Sequence, residues 1–218
     1  MDIDCVVASR SQIGEGAVWD DRDQVLWWVD IPAGLIHQFD PSTGENKTVE
    51  FGEPVGCLAV RESGGLVIAA KSGFHFFDPA TQARQAISDP ESDRPGNRFN
   101  DGTTDLMGRF WAGTMKDNGP PPEPLGRFYR LDPDQSVTPW KDGIYTTNGL
   151  AFSPDGRTMY FADSNPKVRT IWHCDYDLDT GTPGTPKLFL DTKTMPGRPD
   201  GGTVDSDGCY WQAGIDGW

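Results

Sequence analysis

Long apolar runs are missing: none in the 218-residue chain approaches the roughly 18 residues that a membrane-spanning helix needs. The opening Met1-Asp2-Ile3-Asp4 has neither the basic flank nor the apolar stretch of a secretory signal, so a soluble, cytoplasmic protein is expected. Basic residues are scarce as well. Nineteen Lys and Arg stand against 33 Asp and Glu, a formal charge of −14. Such a surface repels phosphate backbones and anionic lipid, so neither nucleic acid nor a membrane surface is expected as a partner. The four cysteines, Cys5, Cys57, Cys174 and Cys209, lie far apart with no C-x-x-C pair. Free thiols are therefore expected in preference to a disulfide or a zinc site. His37, His75 and His173 also stand alone, with no H-E-x-x-H spacing for a histidine-bound catalytic zinc. G-x-S-x-G and P-loop motifs are absent too.

What is abundant is punctuation. Glycine (26) and proline (18) together make up about a fifth of the chain, which argues against a helical bundle and for many short strands joined by turns. The punctuation is periodic. A turn followed by an aromatic or β-branched strand occurs at Asp20–Val29, Glu62–Ala69, Leu106–Gly113, Pro154–Ala162 and Ser206–Ala213. Aligning Leu26, Leu66, Phe110, Met159 and Tyr210 gives separations of 40, 44, 49 and 51. A second turn recurs after four of these strands, at Phe39-Asp40-Pro41, Phe77-Asp78-Pro79, Leu131-Asp132-Pro133 and Tyr176-Asp177. Two hairpins per repeat make a four-stranded antiparallel unit, and units at this period read as blades of a β-propeller. A sandwich or a Greek-key barrel would not repeat the same two turns in phase. Only five anchors fit before Trp218, so the expectation is an incomplete ring: one all-β domain over residues 1–218 with about four and a half to five blades.

The residue ten or eleven positions before each anchor is Glu15, Val55, Asn100, Asn148 or Asp200, and glycine follows at once in all but the third, where Asp101 intervenes before Gly102. The first strand of a propeller blade lines the central channel, so Glu15, Asn100, Asn148 and Asp200 are expected to face one another at one mouth. The adjacent glycines let backbone crowd the axis. Taken singly, Asn-Gly and Asp-Gly are ordinary turn dipeptides. At one phase of an independent repeat, two carboxylates and two carboxamides form an all-oxygen set suited to one divalent cation, Ca²⁺, Mg²⁺, Mn²⁺ or Zn²⁺. Coordination positions left to water or substrate would make such a cation catalytic.

Longer motifs surround these positions. Arg98-Phe99-Asn100-Asp101-Gly102 precedes Gly108-Arg109-Phe110-Trp111-Ala112-Gly113-Thr114-Met115, and Thr147-Asn148-Gly149-Leu150-Ala151-Phe152 precedes Tyr160-Phe161-Ala162-Asp163-Ser164. With Gly14-Glu15-Gly16-Ala17-Val18-Trp19 and Pro199-Asp200-Gly201-Gly202, the chain resembles the senescence marker protein (regucalcin) / gluconolactonase / luciferin-regenerating enzyme family from about residue 10 onward. The resemblance implies a six-bladed propeller, most of whose last third is absent here. It implies one divalent metal held at Glu15, Asn100, Asn148 and Asp200, and hydrolysis of a sugar lactone to the aldonic acid. Arg98 and Asn100 would contact substrate, and Asp101 would help orient it. Asp200 would take the proton of the attacking water. A non-catalytic calcium-binding regulatory propeller and a protein-interaction propeller are the alternatives.

Two stretches depart from the family pattern. Lys116-Asp117-Asn118-Gly119 stands where animal members carry a substrate-binding glutamate, and Gly202-Thr203-Val204 replaces the usual apolar Met-x-Val. Pro120-Pro121-Pro122-Glu123-Pro124 reads first as a stiff surface loop and second as a lid over the channel mouth. The tryptophans, among them Trp27, Trp28, Trp111, Trp172 and Trp211, read as packing between blades before sugar-stacking platforms. Asp205-Ser206-Asp207-Gly208 resembles the start of an EF-hand loop, but lacks its glutamate and reads as a hairpin turn.

Overall fold

The computed structural model describes residues 4–117 and 123–217, and these are all-β, with nineteen strands in five antiparallel sheets. The first sheet is β1 (Gly14–Asp20), β2 (Val25–Asp30), β3 (Leu35–Asp40) and β4 (Glu45–Glu50), paired in chain order. The second is β5 (Val55–Val60), β6 (Leu66–Ala70), β7 (Gly73–Phe77) and β8 (Arg84–Ser88). The third is β9 (Asn97–Thr104), β10 (Phe110–Lys116), β11 (Gly126–Leu131) and β12 (Val137–Ile144). The fourth is β13 (Thr147–Phe152), β14 (Thr158–Asp163) and β15 (Thr170–Asp177), with β16 (Thr182–Pro183) and β17 (Lys187–Asp191) both pairing β15. β18 (Arg198–Val204) and β19 (Tyr210–Ile215) form the fifth.

Local chemistry fixes the turns. At the outer hairpin of three sheets an aspartate folds onto its own chain: Asp40, Asp78 and Asp177 each accept a hydrogen bond at Oδ1 from the amide two residues on, at 2.8–3.0 Å. The inner hairpins use the same device, with Asp20 and Asp105 accepting from Arg22 and Met107. Asp205 does likewise with Asp207 and Cys209, so the segment that resembles an EF-hand is a turn.

The cores lie between sheets rather than within them. Val29, Ile31 and Ile36 of the first sheet pack on Leu58, Ile68 and Phe77 of the second. Phe74 of the second meets Phe99, Phe110 and Tyr129 of the third, with the Phe74 and Phe99 rings 4.7 Å apart. Trp111 and Phe128 of the third pack with Met159 and Phe161 of the fourth. Each fully buried aromatic contributes about 2–3 kcal/mol of burial free energy, so successive sheets are held face to face. Because successive sheets share these cores and the first strands adjoin one another (β5 on β9, β9 on β13, β13 on β18), the arrangement is an arc of propeller blades.

Trp27 and Trp111 are buried in these cores and Trp172 packs against the third, as expected of blade packing. Trp28 stacks on His37 at 4.8 Å, whereas Trp211 is 63% exposed. All four cysteines are free, Cys57 and Cys174 buried and Cys5 and Cys209 exposed. Among the described residues no helix is long and apolar enough to cross a membrane.

Candidate functional site

Every in-phase position falls where a first strand bulges. The ladder between β1 and β2 shifts just after Glu15, and that between β13 and β14 just after Asn148. In β9 the extra residue falls between Phe99 and Gly102, which brackets Asn100 and Asp101; in β18 it falls between Pro199 and Gly202, which brackets Asp200 and Gly201. The second sheet bulges between Val55 and Cys57, where Val55 is fully buried and offers no oxygen. A bulge re-aims one side chain without ending the strand, and this is the local reason these residues turn out of the ladder. At Asn148 the glycine is required, because Gly149 has φ +63°, which a side-chain-bearing residue rarely adopts.

The two carboxamides meet. Asn100 Nδ2 donates to the Thr147 carbonyl at 2.9 Å and to Asn148 Oδ1 at 3.2 Å. Asn148 Nδ2 donates to Ser164 Oγ at 2.6 Å, and Asn100 Oδ1 accepts from the Arg98 guanidinium at 2.8 Å. Both asparagines and Ser164 are buried. Each carboxamide oxygen keeps one lone pair beyond the bond it accepts.

The carboxylates crowd around this pair. Burial, with the charges of Asp200 and Asp101, pushes the Glu15 carboxyl up to about 7, against a smaller opposing effect of Arg98. Asp200 is raised by burial too, and is held back by the Gly201 amide, by Arg198 and by the Asn148 side chain. Asp101, expected among the substrate contacts, accepts backbone bonds from Gly102 and Leu150 at 2.9 and 3.1 Å, and burial still carries it to about 7. It ties the bulge of β9 to that of β13. Arg98 is nearly buried, and its Nε lies 3.5 Å from Asp117, whose other oxygen takes Lys71 Nζ at 2.8 Å. This Lys71–Asp117–Arg98 chain carries no periodic signal in the sequence.

Glu15, Asp101, Asp200 and Gln212 line one cavity of about 600 Å³. Of the four residues named from the repeat, Asn100 donates to Asn148, while Glu15 and Asp200 line the same cavity. Among the described residues no group of three His, Cys, Asp or Glu stands at metal-holding spacing. The candidate set instead pairs two carboxylates with two carboxamides. Its chemistry fits a hard divalent cation, whose charge would offset the burial that raises both Glu15 and Asp200. Pro120, Pro121 and Pro122 of the expected loop or lid lie outside the described residues.

Sequence and structure comparisons give concordant matches. A family model described as SMP-30/Gluconolactonase/LRE-like region matches residues 13–218. A 6-deoxy-6-sulfogluconolactonase of Pseudomonas putida is 39% identical over 214 residues, covering 98% of this chain and 72% of its own length. A regucalcin of Xenopus laevis is 36% identical, with coverages of 97% and 71%. Among solved structures, a calcium-binding regucalcin of Agrobacterium tumefaciens matches with a TM-score of 0.87 at 31% identity, covering 94% of this chain and 68% of that one. The chain therefore spans roughly seven-tenths of the length of these relatives.

Proposed function

Because the chain belongs to the SMP-30/gluconolactonase/LRE-like family, we propose that it is a lactonase that opens a sugar lactone to the aldonic acid with one divalent cation, Ca²⁺, Zn²⁺, Mg²⁺ or Mn²⁺. Residues 1–218 belong in this reading to one propeller domain, and the substrate is a small lactone met in the cytoplasm. The main support is that Glu15, Asn100, Asn148 and Asp200 stand at corresponding bulges of four different sheets, with Glu15 and Asp200 lining one cavity and Asn100 bonded to Asn148. The relative from Pseudomonas putida, itself named for action on a sugar lactone, supports the substrate class.

Glu15, Asn100, Asn148 and Asp200 would hold the cation. When bound, it supplies Lewis-acid polarisation of the ester carbonyl. The remaining work falls to side chains of the protein. Arg98, held by Asn100 and Asp117, donates hydrogen bonds to the sugar and fixes which face of the lactone meets water. Asp200 accepts the proton of the attacking water as its oxygen bonds the carbonyl carbon. The ring carbon–oxygen bond then breaks, and the departing oxygen takes a proton to become the alcohol. A bound cation would lower the basicity of Asp200, so activation of the water would be shared between the two.

The test is acid release from a panel of aldonolactones by the protein with and without chelator, and by Asp200→Ala. Hydrolysis lost on chelation and restored by added cation, together with a fall of about 10³-fold in Asp200→Ala, is the expected result. Cation binding with every lactone left intact would favour a non-catalytic calcium-binding protein instead. Turnover indifferent to both chelator and Asp200 would refute the proposal.

A further inference from the structure

The cation site described above leaves unexplained two side chains on β19, Tyr210 and Gln212, and the glycine at 202 where the family pattern has an apolar residue. In the structure the three are one feature. The Tyr210 hydroxyl shares its single proton between two acceptors at 2.7 Å, the Gly149 carbonyl on β13 and Gln212 Oε1. Gln212 Nε2 donates to the carbonyl of Asp200 and, at 2.9 Å, to that of Gly201. Two glycines make room for this. A Cβ built on either Gly149 or Gly202 would lie 2.4 Å from the Tyr210 oxygen. The ring is steadied by stacking on Tyr160, with centroids 4.9 Å apart, and by the edge of Phe189 at 6.0 Å.

The carbonyls gripped in this way belong to the bulges that carry Asn148 and Asp200. At a bulge the ladder is interrupted, and a local shift is not resisted by paired neighbours. We infer that Tyr210 and Gln212 form a clamp that sets the separation of Asn148 from Asp200 across two sheets, and so act as positioning residues for the cation. The inference rests on the lactonase reading, because it requires a cation between those two ligands. Each acts through the backbone of a ligand-bearing bulge. Gly202 and Tyr210 are complementary choices, since a larger residue at 202 would expel the hydroxyl that holds Gly149.

Outer-shell contacts of this kind typically change metal affinity by about 10- to 100-fold. The experiment is calorimetric titration of the chelator-treated protein with Mn²⁺, for the parent chain, Tyr210→Phe, Gln212→Leu and the double variant, with thermal melts alongside. Each single variant should bind Mn²⁺ about 10-fold more weakly, and the double variant hardly more weakly than the worse single, because the two residues work as one unit. A role confined to packing predicts instead a lower melting temperature with Mn²⁺ affinity unmoved, and that outcome overturns the clamp. If the parent chain takes up Mn²⁺ and Tyr210→Phe and Gln212→Leu take it up equally well, the clamp falls alone. If the parent chain takes up none, the lactonase reading falls and the clamp with it.

Discussion

Asp205 and Asn148 both stand shortly before a glycine and near an aromatic strand, but the molecule uses them in opposite ways. Asp205 accepts hydrogen bonds from the amides of Asp207 and Cys209 and from the Trp211 indole, all within six residues, and nothing lies within 4 Å of a Cβ built on Gly208. Asn148 is buried and meets Ser164 Oγ and Asn100 Nδ2, 16 and 48 residues away, while Gly149 is pressed against Tyr210. In the hairpin the polar group is satisfied by its own turn and the strand ends. In the bulge it is satisfied by Ser164, just past the paired strand, and by Asn100 of the neighbouring sheet, and the strand continues. The distance along the chain to the hydrogen-bond partner, rather than the dipeptide itself, separates a turn from a candidate ligand.

The largest expected effect is on turnover: Asp200→Ala should lose lactone hydrolysis by the factor given above, whereas Asp205→Ala, in the neighbouring hairpin, should stay within about twofold because it loses only local bonds. Next comes stability. Both Gly149 and Gly208 have positive φ, so alanine at either costs about 1–2 kcal/mol in backbone strain. At Gly149 the new methyl also meets the Tyr210 hydroxyl, and overpacking should bring the total to about 3 kcal/mol or more, measured by urea unfolding. Equal losses at the two positions would erase the distinction.

The smallest effect is a pH dependence. Glu15 and Asp101 are each carried to about 7 in the folded chain, chiefly by burial, from ordinary values of 4.5 and 3.8. A raised carboxyl stabilises the fold below its unfolded pKa, and that stabilisation is lost as pH rises through about 7. His37 and His75, lowered by burial, work in the opposite direction. Comparing chelated with cation-loaded protein at each pH removes their contribution. The rise in melting temperature on adding cation should therefore be larger near pH 8 than near pH 5, since protons no longer compete for the ligands. A cation effect independent of pH would contradict buried carboxylates as its site.

Much of the fold was legible because each blade repeats the same physical requirement: an aspartate or glycine to turn, then aromatic and β-branched residues to fill the space between sheets. Glu15, Asn100, Asn148 and Asp200 could be named because the repeat supplies a phase. That the dipeptides sit in bulges was not legible, because the sequence alone describes Asn-Gly equally well as a turn. Asp163 was quoted only as part of a motif, yet it accepts the amides of Tyr145 and Thr146 and anchors the entry to β13, as Asp30 does for Gln12 and Ile13 before β1. Lys71 and Asp117 meet across 46 residues, and Tyr210 reaches Gly149 across 61. Contacts of this kind depend on how two sheets are set against each other, and a single sequence without periodicity at those positions gives no sign of them.

The central claim is that oxygens from four sheets share one ion, and anomalous diffraction from crystals soaked in Mn²⁺ tests it most directly. The account predicts a single strong peak bordered by side-chain oxygens of Glu15, Asn148 and Asp200, with Asn100 beside it, at about 2.0–2.6 Å for direct ligands. A peak elsewhere, or those four side chains contacting solvent and one another with no ion between them, would contradict it.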